Sequence, residues 1–130
     1  LINPIKQAVM YSAFANQGNI VYPQIIVAGG EKKKEGVISS SAAELVTNSL
    51  IKTVEDVNGT AHQLSTGDGT LAGKTGTAEI KEKQDTKGQE NSFILAYDTV
   101  DGKFLIVSMI EDVEGTSAVL KNKDFIQTLK

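Results

Sequence analysis

The tetrapeptide Lys74-Thr75-Gly76-Thr77, with Gly73 before it and Ala78-Glu79 after it, gathers an ammonium, two hydroxyls and a residue without a side chain into four positions. One chemistry this suggests is phosphate binding, because Gly73-Lys74-Thr75 is the tail of the phosphate-loop pattern. That pattern also needs a Gly five residues before Gly73, where Asp68 stands, and a helix beginning at the Lys. Gly76 and the alternation after it point to a strand, so a nucleotide site is not expected. On a strand, Lys74 and Gly76 share one face while Thr75 and Thr77 share the other. The plain alternative is a glycine-kinked strand whose Lys and Thr are simply solvated.

Other chemistry-bearing residues are poorly placed. Ser49-Leu50-Ile51-Lys52 has the spacing of a serine nucleophile and its lysine, but with nine Ser and thirteen Lys in the chain about one such match arises by chance. Ser49 also falls in the middle of an expected helix, only 25 positions before Lys74. His62 is the only histidine, so a Ser-His-Asp triad or a histidine metal site would rest on one ring; a turn-filling role after Gly59-Thr60-Ala61 is expected. There is no Cys, hence no thiolate metal site and no disulfide. No metal or cofactor is expected.

The elements that must position the tetrapeptide are legible from pattern. Asn3-Pro4 reads as an N-cap followed by Pro at the first helical position, opening a helix over Pro4–Gln17 that Gly18 closes. Its interior, Ala8 to Ala15, is apolar nearly all round, which predicts burial on every side. Ile20 to Val27 is β-prone, and with Glu31 to Glu35 it predicts a small hairpin with a solvated charged tip. Ser41-Ala42-Ala43-Glu44 reads as a capping box, starting a helix with apolar positions Ala43, Val46, Leu50, Val54 and Val57, ended by Asn58-Gly59. Three strands are expected at Ala72–Glu82, Asn91–Thr99 and Lys103–Glu111, with Asp101-Gly102 as a tight turn and Lys81 to Glu90 as a charged connector. The third strand is apolar on both faces, so both faces of the sheet should be covered by helices. An acidic stretch from Glu111 to Glu114 leads to a last helix over Ser117–Lys130, with a stripe of Ala118, Val119, Phe125, Ile126 and Leu129.

The 130 residues suffice for one modest domain. With 40% hydrophobic and 22% charged residues, a net charge of −3 and thirteen Lys but no Arg, the chain is not expected to bind nucleic acid, which is read chiefly by planar guanidinium forks. No apolar run approaches the length of a membrane span. The chain opens at Leu1 without a starting Met, and it is expected to be an excised piece of something longer.

Ala72-Gly-Lys-Thr-Gly-Thr-Ala-Glu79, Ile2-Asn3-Pro4 with Tyr11-Ser-Ala-Phe-Ala-Asn-Gln-Gly18, and Asn58-Gly-Thr-Ala61 together resemble the C-terminal part of a class B penicillin-binding protein transpeptidase domain, in order and in spacing. Glu79-Ile-Lys-Glu-Lys-Gln84 further resembles the low-affinity, β-lactam-tolerant Gram-positive branch. The resemblance covers essentially the whole chain. It implies an α+β fold, an antiparallel three-stranded sheet flanked by helices and cut from the β-lactamase/transpeptidase-like fold. It implies a serine D,D-transpeptidase that cross-links peptidoglycan stem peptides, is trapped by β-lactams, and works on the extracytoplasmic face of the membrane, anchored by an N-terminal helix outside this chain. Lys74 would place positive charge beside the nucleophile and the substrate carboxylate, and a neighbouring hydroxyl would bond that carboxylate, with Lys74, Thr75, Gly76 and Thr77 together forming the substrate-binding strand. Gly76 would let the acyl chain approach the backbone, and the Thr77 N–H would be one of two oxyanion donors. The family's Ser-x-Asn or Tyr-x-Asn motif is absent, and Ser49 does not match the family nucleophile, which opens a buried helix far upstream. The expectation is therefore a nucleophile-free part of the enzyme, inactive alone, whose third strand exposes an unpaired edge and whose copies self-associate, either by pairing that strand or by exchanging the N-terminal helix. A stand-alone stem-peptide or β-lactam binding module without chemistry is the alternative.

Overall fold

The computed structural model describes residues 3–25, 30–81, 88–111, 113 and 116–130. Helix α1 spans Pro4–Ala15, with the Asn3 side chain accepting from the Lys6 N–H at 2.8 Å and Pro4 at the first position. It stops short of Gln17, because Gln17 (φ 54°) and Gly18 (φ 98°) turn left-handed. The expected burial on every side is not met: only Ser12 and Ala13 are buried, and Ile5 and Met10 stand more than half exposed. Helix α1 packs one face on the sheet and leaves the other uncovered by the described residues.

Strands β1 (Ile20–Val21) and β2 (Lys33–Lys34) pair antiparallel. The lysine run is thus part of the returning strand and not the hairpin tip; Tyr22 still donates to the Lys32 carbonyl, and Pro23, with no N–H, ends the ladder. Residues 26–29 lie outside the described residues.

Helix α2 (Ser40–Glu55) is capped by Ser39, whose hydroxyl accepts from the Ala42 N–H at 3.2 Å, two residues before the expected Ser41 cap. Ala43, Leu50 and Val54 are buried as the spacing requires. Val57 is exposed, because the helix has already ended at Glu55 and the following turn rotates it out.

The sheet has the order β3-β4-β5, from Leu71–Ile80, Gln89–Asp98 and Leu105–Ile110, all antiparallel. Glu82 and residues 83–87 of the expected connector lie outside the described residues, as do residues 112, 114 and 115 of the acidic stretch. Both faces are covered, as the sequence of β5 requires. On one face Leu71, Ile94 and Ala96 meet Val54, Ala61 and Leu64, together with Ala118, Val119 and Ile126 of α3 (Ala118–Thr128). On the other, Ala72, Leu95 and Tyr97 meet Leu50 of α2 and Tyr11 and Phe14 of α1. The buried Tyr97 hydroxyl pairs with Thr47 at 2.9 Å, tying α2 to the central strand. Phe125 is 55% exposed, off the expected stripe: the buried arc of α3 centres between Asn122 and Ile126, and Phe125 sits at its margin.

Between β4 and β5 the expected tight Asp101-Gly102 turn is a longer loop built around Asp98. Its carboxylate accepts from the backbone N–H groups of Val100, Asp101 and Lys103, each at 3.1 Å. Burial opposes ionisation of Asp98, but these three donors outweigh it and hold the carboxyl below the usual range.

Two stability predictions follow from this packing. At Gly73 an added Cβ would lie 3.0 Å from Val54 Cγ2, so Gly73→Ala should lower the unfolding free energy by about 1–3 kcal/mol in urea titrations. Asp98→Asn turns one acceptor into a donor and leaves at least one part-buried N–H without its partner, a cost of about 1 kcal/mol at neutral pH. Because the folded carboxyl titrates below its unfolded value, the Asp98 contribution is full above the usual carboxylate range and is lost only as acid takes pH through the lower, folded value. The variant should lack that acid-dependent loss.

Candidate functional site

The middle of β3 is where buried strand becomes exposed strand. Leu71, Ala72 and Gly73 are buried, and from Lys74 to Ile80 the strand is largely open. The Thr99 N–H donates to the Thr70 carbonyl at 2.9 Å, one step beyond the Leu71–Asp98 pair, which sets the phase of the β3–β4 ladder. Antiparallel bonds alternate residue by residue, so Lys74 and Gly76 exchange bonds with β4 while Thr75 and Thr77 turn their N–H and C=O groups to the outer edge. Among the described residues no strand pairs with that edge. The Thr77 N–H, expected as an oxyanion donor, therefore points outward at that open edge.

Side chains divide as their parity requires. Lys74 and Gly76, opposite Leu95 and Phe93, face α1, where Gln7 and Tyr11 complete a groove of about 270 Å³. The Lys74 ammonium donates to the Thr75 carbonyl at 2.6 Å and, among the described residues, forms no ion pair. Glu79, further along β3, is occupied by Lys81 at 2.9 Å; that ammonium and the Gly88 N–H hold its carboxyl below the usual range. A Cβ on Gly76 would meet only ordinary contact, with Phe93 Cβ at 3.6 Å, so packing does not require the glycine. Its missing side chain leaves the groove floor low.

On the opposite face the Thr75 hydroxyl donates to the hydroxyl of Thr60 at 2.7 Å. Thr60 was legible only as part of a turn; nothing in its spacing from Thr75 announced the pair. Gln7 and Tyr11, four residues apart on α1, had the helical spacing to share a face with each other but no signal tying them to Lys74. His62 caps α2: its Nδ1 lies 3.2 Å from the Val54 carbonyl, which can only accept, so Nδ1 carries the proton. The Ser49 hydroxyl donates back to the Leu45 carbonyl at 3.1 Å on the exposed side of α2, pointing into neither the groove nor the core. Among the described residues no cluster of His, Asp or Glu can hold a metal ion.

The profile of the penicillin binding protein transpeptidase domain matches residues 1–127. Penicillin-binding protein 3 of Bacillus subtilis is 33% identical over 117 residues, which are 87% of this chain and 18% of that relative. The chain thus spans less than a fifth of that relative's length. Among solved structures, the transpeptidase domain of penicillin-binding protein 3 from Burkholderia pseudomallei superposes with a TM-score of 0.67 at 17% identity, covering 85% of this chain and 34% of that one. Penicillin-binding protein 2B of Streptococcus pneumoniae gives 0.69 at 21%, covering 98% and 24%. These two establish the α+β fold. With the profile matching residues 1–127 and a relative one-third identical over most of this chain, the chain belongs to the penicillin-binding protein transpeptidase-domain family.

Proposed function

We propose that residues 1–130 are the C-terminal part of a class B transpeptidase domain, and that they carry the Lys-Thr-Gly strand of a serine D,D-transpeptidase that cross-links peptidoglycan and reacts with β-lactams. The observation that carries this reading is the open outer edge of β3 at Thr75 and Thr77, beside a lysine without a carboxylate partner among the described residues. An extended peptide can add to such an edge as a further strand.

The nucleophile comes from outside these residues. Its hydroxyl adds to the carbonyl of the penultimate D-Ala, the terminal D-Ala departs with a proton, and the amine of a neighbouring stem then displaces the serine. Within that sequence Lys74 supplies positive charge near the nucleophile and the terminal carboxylate. The Thr75 hydroxyl bonds that carboxylate, Gly76 leaves room for the acyl chain, and the Thr77 N–H bonds the developing oxyanion. The protein acts on the extracytoplasmic face of the membrane, held by an N-terminal anchor. At the other side of the sheet, Leu105, Val107 and Met109 turn their N–H and C=O groups outward by the same alternation, since Asp98 and Phe104 bond each other. That edge takes a strand from elsewhere in the domain, and in the isolated residues 1–130 it pairs two copies.

Mass spectrometry of the full-length protein after exposure to a penicillin should place the adduct outside residues 1–130. An adduct on Ser49 would overturn the assignment. In the same protein Lys74→Ala should slow acylation at least about tenfold, as loss of a charged donor in a cleft does. Thr77→Ala, which keeps the N–H, should do much less. Gly76→Ala should leave unfolding within about 0.5 kcal/mol of the parent while slowing acylation, because the added methyl enters the groove and not the core. Unchanged acylation in both Lys74→Ala and Gly76→Ala would remove this strand from the site.

A further inference from the structure

We propose that Thr60 is a positioning residue for the anionic end of the ligand, acting through Thr75. The inference rests on the reading of Thr75 as the carboxylate-binding hydroxyl.

Thr60 is held more firmly than an exposed turn residue needs to be. On one side of it, Gly59 is pressed against the end of α2, where a Cβ would fall 2.2 Å from the Thr53 carbonyl oxygen, and its N–H donates to the Asp56 carbonyl at 2.8 Å. On the other side Ala61 is completely buried against the Gly73 side of the sheet, with its N–H on the Thr53 carbonyl at 3.1 Å. The His62 N–H bonds the Gly59 carbonyl, and its ring bonds the Val54 carbonyl. Between these anchors the Thr60 backbone is fixed, and its hydroxyl receives the Thr75 hydroxyl at 2.7 Å.

Two hydroxyls bonded to each other hold two protons: one lies between the oxygens and one faces outward. The pair therefore offers one outward hydrogen bond whichever way it is turned. In the geometry as it stands Thr75 donates to Thr60. When a carboxylate arrives at the β3 edge, the pair turns over: Thr60 donates to Thr75, and Thr75 donates to the carboxylate. A hydroxyl whose oxygen already accepts a hydrogen bond is a stronger donor, and its rotamer is fixed before the ligand arrives. Thr60 touches no ligand in this arrangement.

The test is a mutant cycle in the full-length protein, reading the second-order rate of acylation by a penicillin with a free carboxylate. Thr60→Val keeps the shape and removes the hydroxyl, and should slow acylation about five- to tenfold, the scale of one lost hydrogen bond between neutral groups. Thr60→Ser should stay within about threefold of the parent. Thr75→Val should lose at least as much as Thr60→Val, and the double Val variant should be no slower than Thr75→Val alone. Losses that multiply in the double variant, an unchanged rate in Thr60→Val, or a Ser variant as slow as Val would each overturn the role of Thr60 while leaving that of Thr75 intact. An unchanged rate in Thr75→Val would instead overturn the carboxylate assignment itself, and this inference with it.

Discussion

The close seating of α2 on β3 at Gly73 is the contact on which the rest of the structure depends. With no Cβ in the way, Val54 reaches the strand backbone, and the helix straddles the strand: Leu50 enters the core on one face and Val54 the core on the other. The helix can therefore cover the first three residues of β3 and then stop. Beyond its end at Glu55 the chain doubles back through Gly59, returns Ala61 to the same core, and leaves Thr60 outside, next to Thr75. A bulkier residue at position 73 would lift the helix and move this whole corner.

The alternation of a β-strand then assigns the chemistry. Four successive residues cannot all point one way, so the ammonium of Lys74 and the bare Gly76 face the α1 groove while the hydroxyls of Thr75 and Thr77 face the other side. Backbone groups alternate too, within the plane of the sheet, and the phase set by the Thr70–Thr99 bond turns the Thr75 and Thr77 amides to the open edge. A ligand lying along that edge meets a cation from one face, a hydroxyl from the other and amide protons between them. The chain carries a net charge of −3, yet the nearest acid along the strand, Glu79, is held by Lys81, and among the described residues no carboxylate pairs with Lys74.

Much of this was readable in advance because it rests on local signals. Asn3-Pro4 capped α1, the spacing of Ala43, Leu50 and Val54 gave the buried stripe of α2, and the apolar run in β5 required two covered faces. What failed was decided by tertiary context. Ser39 and Ser41 are equally good caps in isolation, and the pairing of β2 with β1 and the return from Gly18 settle where α2 starts. Asp101-Gly102 is a good turn pair, but three amides gathered by the buried Asp98 carboxylate make a wider loop the better solution. The hydroxyl pair of Thr60 and Thr75, fifteen residues apart, depends on how α2 ends and had no local signal at all.

The two edges of the sheet differ in the side chains that flank them. The β3 edge, past Gly73, is flanked by small and polar side chains, Lys74, Thr75, Gly76 and Thr77, which suit a short extended ligand that must bind and leave. The β5 edge is flanked by Leu105, Ile106 and Val107, packed into the two cores from the inside, and by the exposed Met109, and among the described residues its outward amides meet no strand. A polar edge can stay open to water because its backbone groups are satisfied there. An apolar edge gains from being paired, since each added strand removes hydrocarbon as well as amides from solvent. The same central strand β4 supports both, so a partner strand that stiffens β5 also stiffens the ladder that aims the Thr77 amide, coupling completion of the sheet to the geometry of the site.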